Sequence, residues 1–363
     1  MNIDMAKRIL KKKTKREKSI NKTDYLSTGS TLLNLACSGK SIGGFLKGQY
    51  YFVVGDSKSG KTFLGLTCLA EASKNPAFKN YRFIFDDSEN GALMNIKKFF
   101  GNNTYKRIEA PRYDEEGVPS FSSTIEEFYY NIDDAAKQGT PFIYILDSMD
   151  SVSSEAEESK FQKQKKAHRK GTAAAGSMGD GKAKKNASNI RRLLSHLRKT
   201  NSILIIVNQT RDNINPMSWE KKTHSGGHAL FFYACLVVWG SIKKKLTKEV
   251  RGKKRHIGNI SKILVKKNRM TGAECEIDLP IYRKYGIDNN GSCVDYLVDE
   301  GHWKKKGQKI NAKEFDLVCT RDKLIKHIEI NDLENDLFCI VEDVWNDIEE
   351  ASNIFKDRKK RYE

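Results

Sequence analysis

The stretch "YYFVVGDSKSGKT", residues 50–62, decides the fold. A short apolar run meets Gly-x-x-x-x-Gly-Lys-Thr, and an amphipathic segment over 62–74 follows at once. A buried strand, a glycine-bearing turn and a helix, in that order, make a phosphate-binding loop. Gly55 and Gly60 let the backbone amides wrap phosphates, with Asp56, Ser57, Lys58 and Ser59 between them, and the helix turns its positive end toward the same point. Lys61 is placed to reach the β and γ phosphates, and the Thr62 hydroxyl to ligate Mg²⁺. ATP and Mg²⁺ are the expected cofactors.

Four more short apolar runs lie downstream: "YRFIFDD" (81–87), "FIYILDS" (142–148), "ILIIVNQ" (203–209) and "ACLVVWG" (234–240). Amphipathic stretches over 124–137 and 187–199 separate the middle three. Continuous apolar strands alternating with helices predict an α/β fold with a buried, mostly parallel central sheet. Two β-like runs follow at 261–268 and 273–280, and the chain beyond about 310 reads as a helical, acidic, separate region.

The chain has 363 residues, 38% of them hydrophobic, enough for a packed core. Its formal net charge of +19 points to a polyanion partner and away from a small-molecule kinase. The charge is uneven: Glu329–Glu350 holds nine acids and no Lys or Arg. Seven scattered cysteines without a C-x-x-C pair argue for thiols in a reducing compartment, not a disulfide frame or a zinc site. The first residues show no apolar signal core, and the longest apolar run, 229–239, is too short to cross a bilayer. A cytoplasmic location without membrane contact is expected.

Asp147 ends an apolar strand, where a second magnesium contact belongs in a phosphate-loop enzyme; a strand-end Asp serves equally as a helix cap. Glu89 ends the strand after the loop helix and could orient the attacking water, with Asp86 and Asp87 as chemical competitors. Past Asp147 comes "KFQKQKKAHRKG", 160–171, with six Lys or Arg in twelve positions and no acid.

Taken in order, these pieces resemble the RecA family of ATP-dependent DNA strand-exchange proteins, closest to its phage (UvsX-like) branch. The resemblance rests on "STGSTLLNLACSG" before the phosphate loop, then "FDDSENG", "YILDSMDSV", "LIIVNQTRDNI", "SGGHALFFYA" and "VKKNRMTG", and on "YGIDNNGSCVDYLVDEG" at the end of the core. It covers about residues 26–305 and implies a RecA-like P-loop NTPase core; the basic N-terminal segment (1–25) and the C-terminal region (306–363), read from composition as bearing an acidic helix, lie outside it. Departures are Asp56, where the family often has Pro, and Gln209, where some phage members have His.

The resemblance gives the catalytic carboxylate to Glu89, the magnesium strand to Asp147 and the γ-phosphate-sensing amide to Gln209. It makes Lys267 and Arg269 the cations that reach a neighbouring subunit's ATP. A first DNA loop is implied over about 153–185, carried by Lys160, Lys163, Lys165, Lys166, Arg169 and Lys170, with Gly171, Gly176, Gly179 and Gly181 for adaptability. A second is implied over 211–227, with Arg211, Lys221 and Lys222 on phosphates, Met217 and Trp219 against bases, and Gly226 and Gly227 at its end. Trp219 reads also as a core residue. The basic run 243–255 reads as a hairpin, serving either duplex DNA or solubility. The N-terminal segment could serve polymerisation or DNA contact, and the acidic tail regulation or plain surface.

The expected function is therefore a DNA-dependent ATPase and recombinase that forms helical filaments on single-stranded DNA for recombination, repair or recombination-dependent replication. Expected partners are single-stranded and double-stranded DNA, further copies of the chain, and single-strand-binding and loader or mediator proteins. A ring helicase or translocating motor of the same fold is the first rival; a non-exchanging DNA-binding paralogue is the second.

Overall fold

The computed structural model describes residues 21–170, 181–213, 221–354 and 358. Residues 1–20 of the basic segment, Gly171, Gly176, Gly179, Met217 and Trp219 lie outside the described residues. The central sheet is built from β1 (Tyr50–Gly55), β2 (Arg82–Asp86), β3 (Phe142–Leu146), β4 (Ile203–Asp212), β5 (Lys222–His224), β6 (Leu236–Val250), β7 (Lys253–Asn268), β8 (Cys275–Tyr282) and β9 (Gly286–Ile287). Its order is β9-β8-β7-β6-β1-β4-β3-β2, with β5 paired to β4. The pairs from β6 through β2 are parallel, and β6 to β9 continue as antiparallel neighbours.

Every residue of β1 is buried, as its unbroken apolar run demands. Successive side chains enter opposite layers. Tyr51 and Val53 join the layer formed with α1 (Thr31–Ser38), α2 (Lys61–Lys74) and α3 (Ile96–Arg107). Tyr50, Phe52 and Val54 join the layer of α4 (Ile125–Lys137), α6 (Gly181–Thr200) and α7 (His228–Tyr233). Register then positions the site: Gly55 lies opposite Gln209 on β4 and Gly240 on β6. The phosphate loop and the exit of β4 therefore leave the sheet at the same edge.

The first expected DNA loop is corrected in part. Glu155–Arg169 is a helix, α5, none of whose residues is buried. Local chemistry explains it. Ser154 and Glu157 form a reciprocal capping box, with Glu155, Glu157 and Glu158 in the first turn and Lys166, His168 and Arg169 in the last. Both ends suit the helix dipole, and no Gly or Pro interrupts the run. Gly181, expected in the loop, begins α6.

The basic run 243–255 is a hairpin, formed by the outer halves of β6 and β7. Arg251 and Gly252 turn it, with φ 53° and 69°, the left-handed pair that a tight hairpin turn requires.

Beyond α8 (Asn289–Asp299), the expected helical tail begins with a small sheet, β10 (Lys304–Lys306), β11 (Lys309–Ala312) and β12 (Leu317–Thr320). After α9 (Arg321–Ile330), the acidic stretch forms one helix, α10 (Glu334–Ala351). The tail is not set apart. Leu337, Val341 and Val344 line one face of α10 and are buried in the same core layer as Tyr51 and Val53. Glu342 accepts hydrogen bonds from the backbone and hydroxyl of Ser41, just past α1. Among the described residues, no helix is long and apolar enough to cross a membrane.

Because Leu337 is fully buried, Leu337→Ala should cost the whole chain about 2–4 kcal/mol of stability. A urea midpoint shared by core and tail probes tests this; melting of the tail alone would show that the helix is peripheral.

Candidate active site

The phosphate loop is held open by its own backbone. Lys58 and Gly60 take left-handed φ values of 64° and 89°, and Gly60 caps the start of α2. The Asp56 amide donates to Gly240 O at 3.0 Å, tying the loop to β6. Ser59 is buried, and its carbonyl accepts from Ser261 Oγ at 2.9 Å, whereas Ser57 and Lys58 face solvent. Lys61 folds back, its Nζ donating to the carbonyls of Gly55 (3.0 Å) and Asp56 (2.8 Å). Burial lowers its pKa, against the opposing pull of Asp147, Glu89, Asp56 and Asp150.

Asp147 follows β3 and is 3% exposed. Burial, then the charges of Glu89 and Asp87, push its carboxyl up to about 6, although a hydrogen bond from Thr62 and the Lys61 charge oppose them. A buried carboxylate hydrogen-bonded to a hydroxyl at a helix N-terminus is a hard-oxygen donor pair with a deficit of positive charge. Those residues fit a divalent cation such as Mg²⁺.

Three carboxylates at the end of β2 are told apart by their partners. Asp86 is buried and accepts from the Ser122 amide and hydroxyl and from Tyr144 Oη at 2.6 Å. Asp87 accepts from the amides of Gly91 and Ala92. Glu89 instead faces the mouth of the site, where its Oε1 accepts from Ser148 Oγ at 2.5 Å and from Gln209 Nε2 at 2.7 Å. The structure thus brings Lys61, Thr62, Asp147, Glu89 and Gln209 to one sheet edge.

From Gln209 the chain runs directly into a two-stranded stem. β4 and β5 pair Thr210 with His224, Arg211 with Thr223 and Asp212 with Lys222. Asp150 holds this stem, accepting from the Gln209 amide (2.6 Å), Arg211 Nη2 (3.0 Å) and the Ser225 hydroxyl. Asp56 holds it from the other side, through Thr210 Oγ1 (2.5 Å) and Lys222 Nζ (2.6 Å). Gly226 O accepts from Asn186 Nδ2 at 2.9 Å, and a Cβ on Gly227 would sit 2.7 Å from that of Ala183, so the stem's exit rests closely on α6. Lys221 is exposed at the stem's end.

Sequence reasoning missed Asp150, Thr210 and Ser225. They lie within stretches singled out for other residues: Asp150 follows β3, Thr210 is on β4 and Ser225 follows β5, and only the assembled sheet brings them together. Lys163, Lys165, Lys166, Arg169 and Lys170 are exposed on or just past α5, with Lys160 half-buried, away from the stem's hydrogen bonds.

Lys267 and Arg269 are not brought to this edge. Lys267 pairs across from Val237 near the start of β6, and β6 begins opposite Tyr51. The two cations therefore lie at the end of the sheet opposite Gly55. There Lys267 donates to the carbonyls of Phe231 (2.8 Å) and Phe232 (2.6 Å), and Arg269 to that of Phe232 (2.5 Å). Burial and the neighbouring Arg269 charge lower the Lys267 pKa to about 8.

The family profile described as RecA N-terminal domain matches residues 159–288, from α5 to the end of β9. The protein RecA of Helicobacter pylori (strain P12) is 30% identical over 314 residues, covering 82% of this chain and 80% of the relative. The chain belongs to the RecA family. The protein RecA of Wolinella succinogenes is 28% identical over 317 residues, again covering 82% of this chain and 80% of the relative. These alignments span more of the chain than the profile does.

The folded chain holds the Asp147 proton more tightly than the unfolded chain, whose value lies near 3.8. Its contribution to stability is present below pH about 4 and lost as pH rises through about 6. Without divalent cations, Asp147→Asn should therefore be more stable than wild type at pH 8, by about 3 kcal/mol. The gain should vanish near pH 4; paired thermal melts across that range would expose a pH-independent difference, which would contradict the assignment.

Proposed function

We propose that the chain is an ATP-dependent DNA strand-exchange protein, a DNA-stimulated ATPase that assembles head to tail as an open helical filament on single-stranded DNA. One observation carries this reading: Gln209 bonds the candidate catalytic carboxylate of Glu89 and directly precedes the Arg211–Lys222 stem. A side chain that meets both the hydrolytic group and a DNA-facing stem can convert nucleotide state into DNA affinity.

In this mechanism the loop amides and Lys61 bind and orient the phosphates, while Glu89, steadied by Ser148, positions and deprotonates the attacking water. Thr62 and Asp147 would hold Mg²⁺, which when bound neutralises phosphate charge. The opposite placement of Lys267 and Arg269 supports a shared site. A cation pair at one end of the sheet and a phosphate loop at the other meet only between stacked copies, the heterologous contact that builds open helices. Each cation would leave its bonds to the carbonyls near the end of α7 and stabilise phosphoryl charge on the neighbour.

Arg211, Lys221 and Lys222 on the stem, and the lysines of α5, would neutralise the DNA backbone without reading bases. The basic hairpin over 243–255 offers a second surface of that kind, suited to duplex DNA.

ATP turnover should rise strongly with unstructured single-stranded DNA, and Glu89→Gln should reduce the stimulated rate by about 100-fold or more. A strand-exchange assay with homologous duplex separates this function from a ring translocase, which would unwind DNA without exchanging it. Salt-sensitive DNA binding with no hydrolysis under any condition would instead identify a non-exchanging paralogue.

A further inference from the structure

Two cations at the stem, Lys222 and Arg211, are already held by acids of the chain itself. Lys222 Nζ lies 2.6 Å from Asp56 Oδ1, with the carboxylate 26% and the lysine 45% exposed. Thr210 Oγ1 donates to the same oxygen at 2.5 Å. Two residues beyond Gln209, Arg211 is held in parallel by Asp150, 3.0 Å away. Burial raises the Asp56 carboxyl, but the bonds from Lys222 and Thr210 and the charges of Lys222 and Lys61 outweigh it and hold it below its ordinary value. It is therefore ionised at neutral pH.

We propose that Asp56 is an internal stand-in for a DNA phosphate, occupying Lys222 in the DNA-free chain so that single-stranded DNA gains that lysine only by displacing the carboxylate. The inference rests on the reading of the stem as a DNA surface. Its physics is simple exchange. Handing a paired lysine to a DNA phosphate frees a cation from the strand, but the Asp56 carboxylate left without its partner attracts one in exchange, so little net release remains. Both affinity and salt dependence are lowered. Because the acid belongs to the phosphate loop and the lysine to the stem, the same pair ties the position of one to the availability of the other. Asp150 is the poorer place to test this, since it also accepts from the Gln209 amide and shapes the strand itself. Each of the hydrogen bonds to the Asp56 carboxylate described above comes from a side chain, so Asp56→Asn removes charge at constant shape.

The test is nucleotide-free binding of the full chain to an oligo-dT strand, followed by fluorescence anisotropy across a salt series. Wild type, Asp56→Asn, Lys222→Gln and the double variant complete a cycle. Asp56→Asn should bind about two- to five-fold tighter, with a salt slope steeper by about 0.7, the value of one added phosphate contact on a single strand. Lys222→Gln should weaken wild type by clearly less than it weakens the Asp56→Asn background, where it should abolish the whole gain. Asp56→Ser, a second neutral replacement, should reproduce the gain if Asn disturbs the loop. An equal gain with and without Lys222 would reduce the effect to general charge and overturn the pairing, as would a loss from Lys222→Gln in wild type as large as in the variant. Binding by Asp56→Asn alone would support complete masking. If none of the four proteins binds the strand at low salt, the DNA reading of the stem falls and this inference falls with it.

Discussion

The site depends on the register of β1 between β4 and β6. Gly55 sits opposite Gln209 on one side and Gly240 on the other, so the phosphate loop and the strand carrying Gln209 emerge together. Strand periodicity is two, and a slip of one residue would send Tyr51 and Val53 into the layer meant for Tyr50, Phe52 and Val54. Both layers are tightly filled, so the register is locked by packing on both faces. The same lock sets the distance between Glu89 and Gln209, since β2, β3 and β4 are paired in sequence beside β1.

With +19 net charge, the chain has more cations than its fold can neutralise, and where its acids are spent is informative. On α5 they gather in the first turn and favour the helix while leaving its basic end free. At the stem, Asp56 and Asp150 bind individual cations beside the phosphate loop. Exposed ion pairs contribute little to stability, so pairs of this kind matter chiefly for which cations remain available to a partner.

Much of the site was legible in the sequence because its elements are local. Glycine turns, a lysine and a hydroxyl at fixed spacing after an apolar strand specify a phosphate loop whatever the rest of the chain does. Strand-end residues such as Asp147 and Gln209 could be found for the same reason: each closes an unbroken apolar run. Charge density was less informative. The run from Lys160 to Lys170 looks like a loop when only its lysines are counted, and becomes a helix through its caps and its freedom from Gly and Pro.

The residues' own chemistry left Glu89, Asp86 and Asp87 open and the resemblance favoured Glu89; the structure adds that Ser122 and Tyr144 occupy one rival and the amides of Gly91 and Ala92 the other. Asp150 and Thr210 were invisible because β4 must lie between β3 and β1 before they face Gln209 and Asp56. The sequence by itself determined the α/β class, the parallel core and the phosphate loop, since strand burial and backbone conformation follow from residues near one another. Only tertiary structure decided which carboxylate faces the site, that Lys267 and Arg269 stand at the far end of the sheet, and that α10 belongs to the core. Those outcomes turn on contacts between residues tens to hundreds of positions apart, which sheet register and packing create and no local pattern encodes.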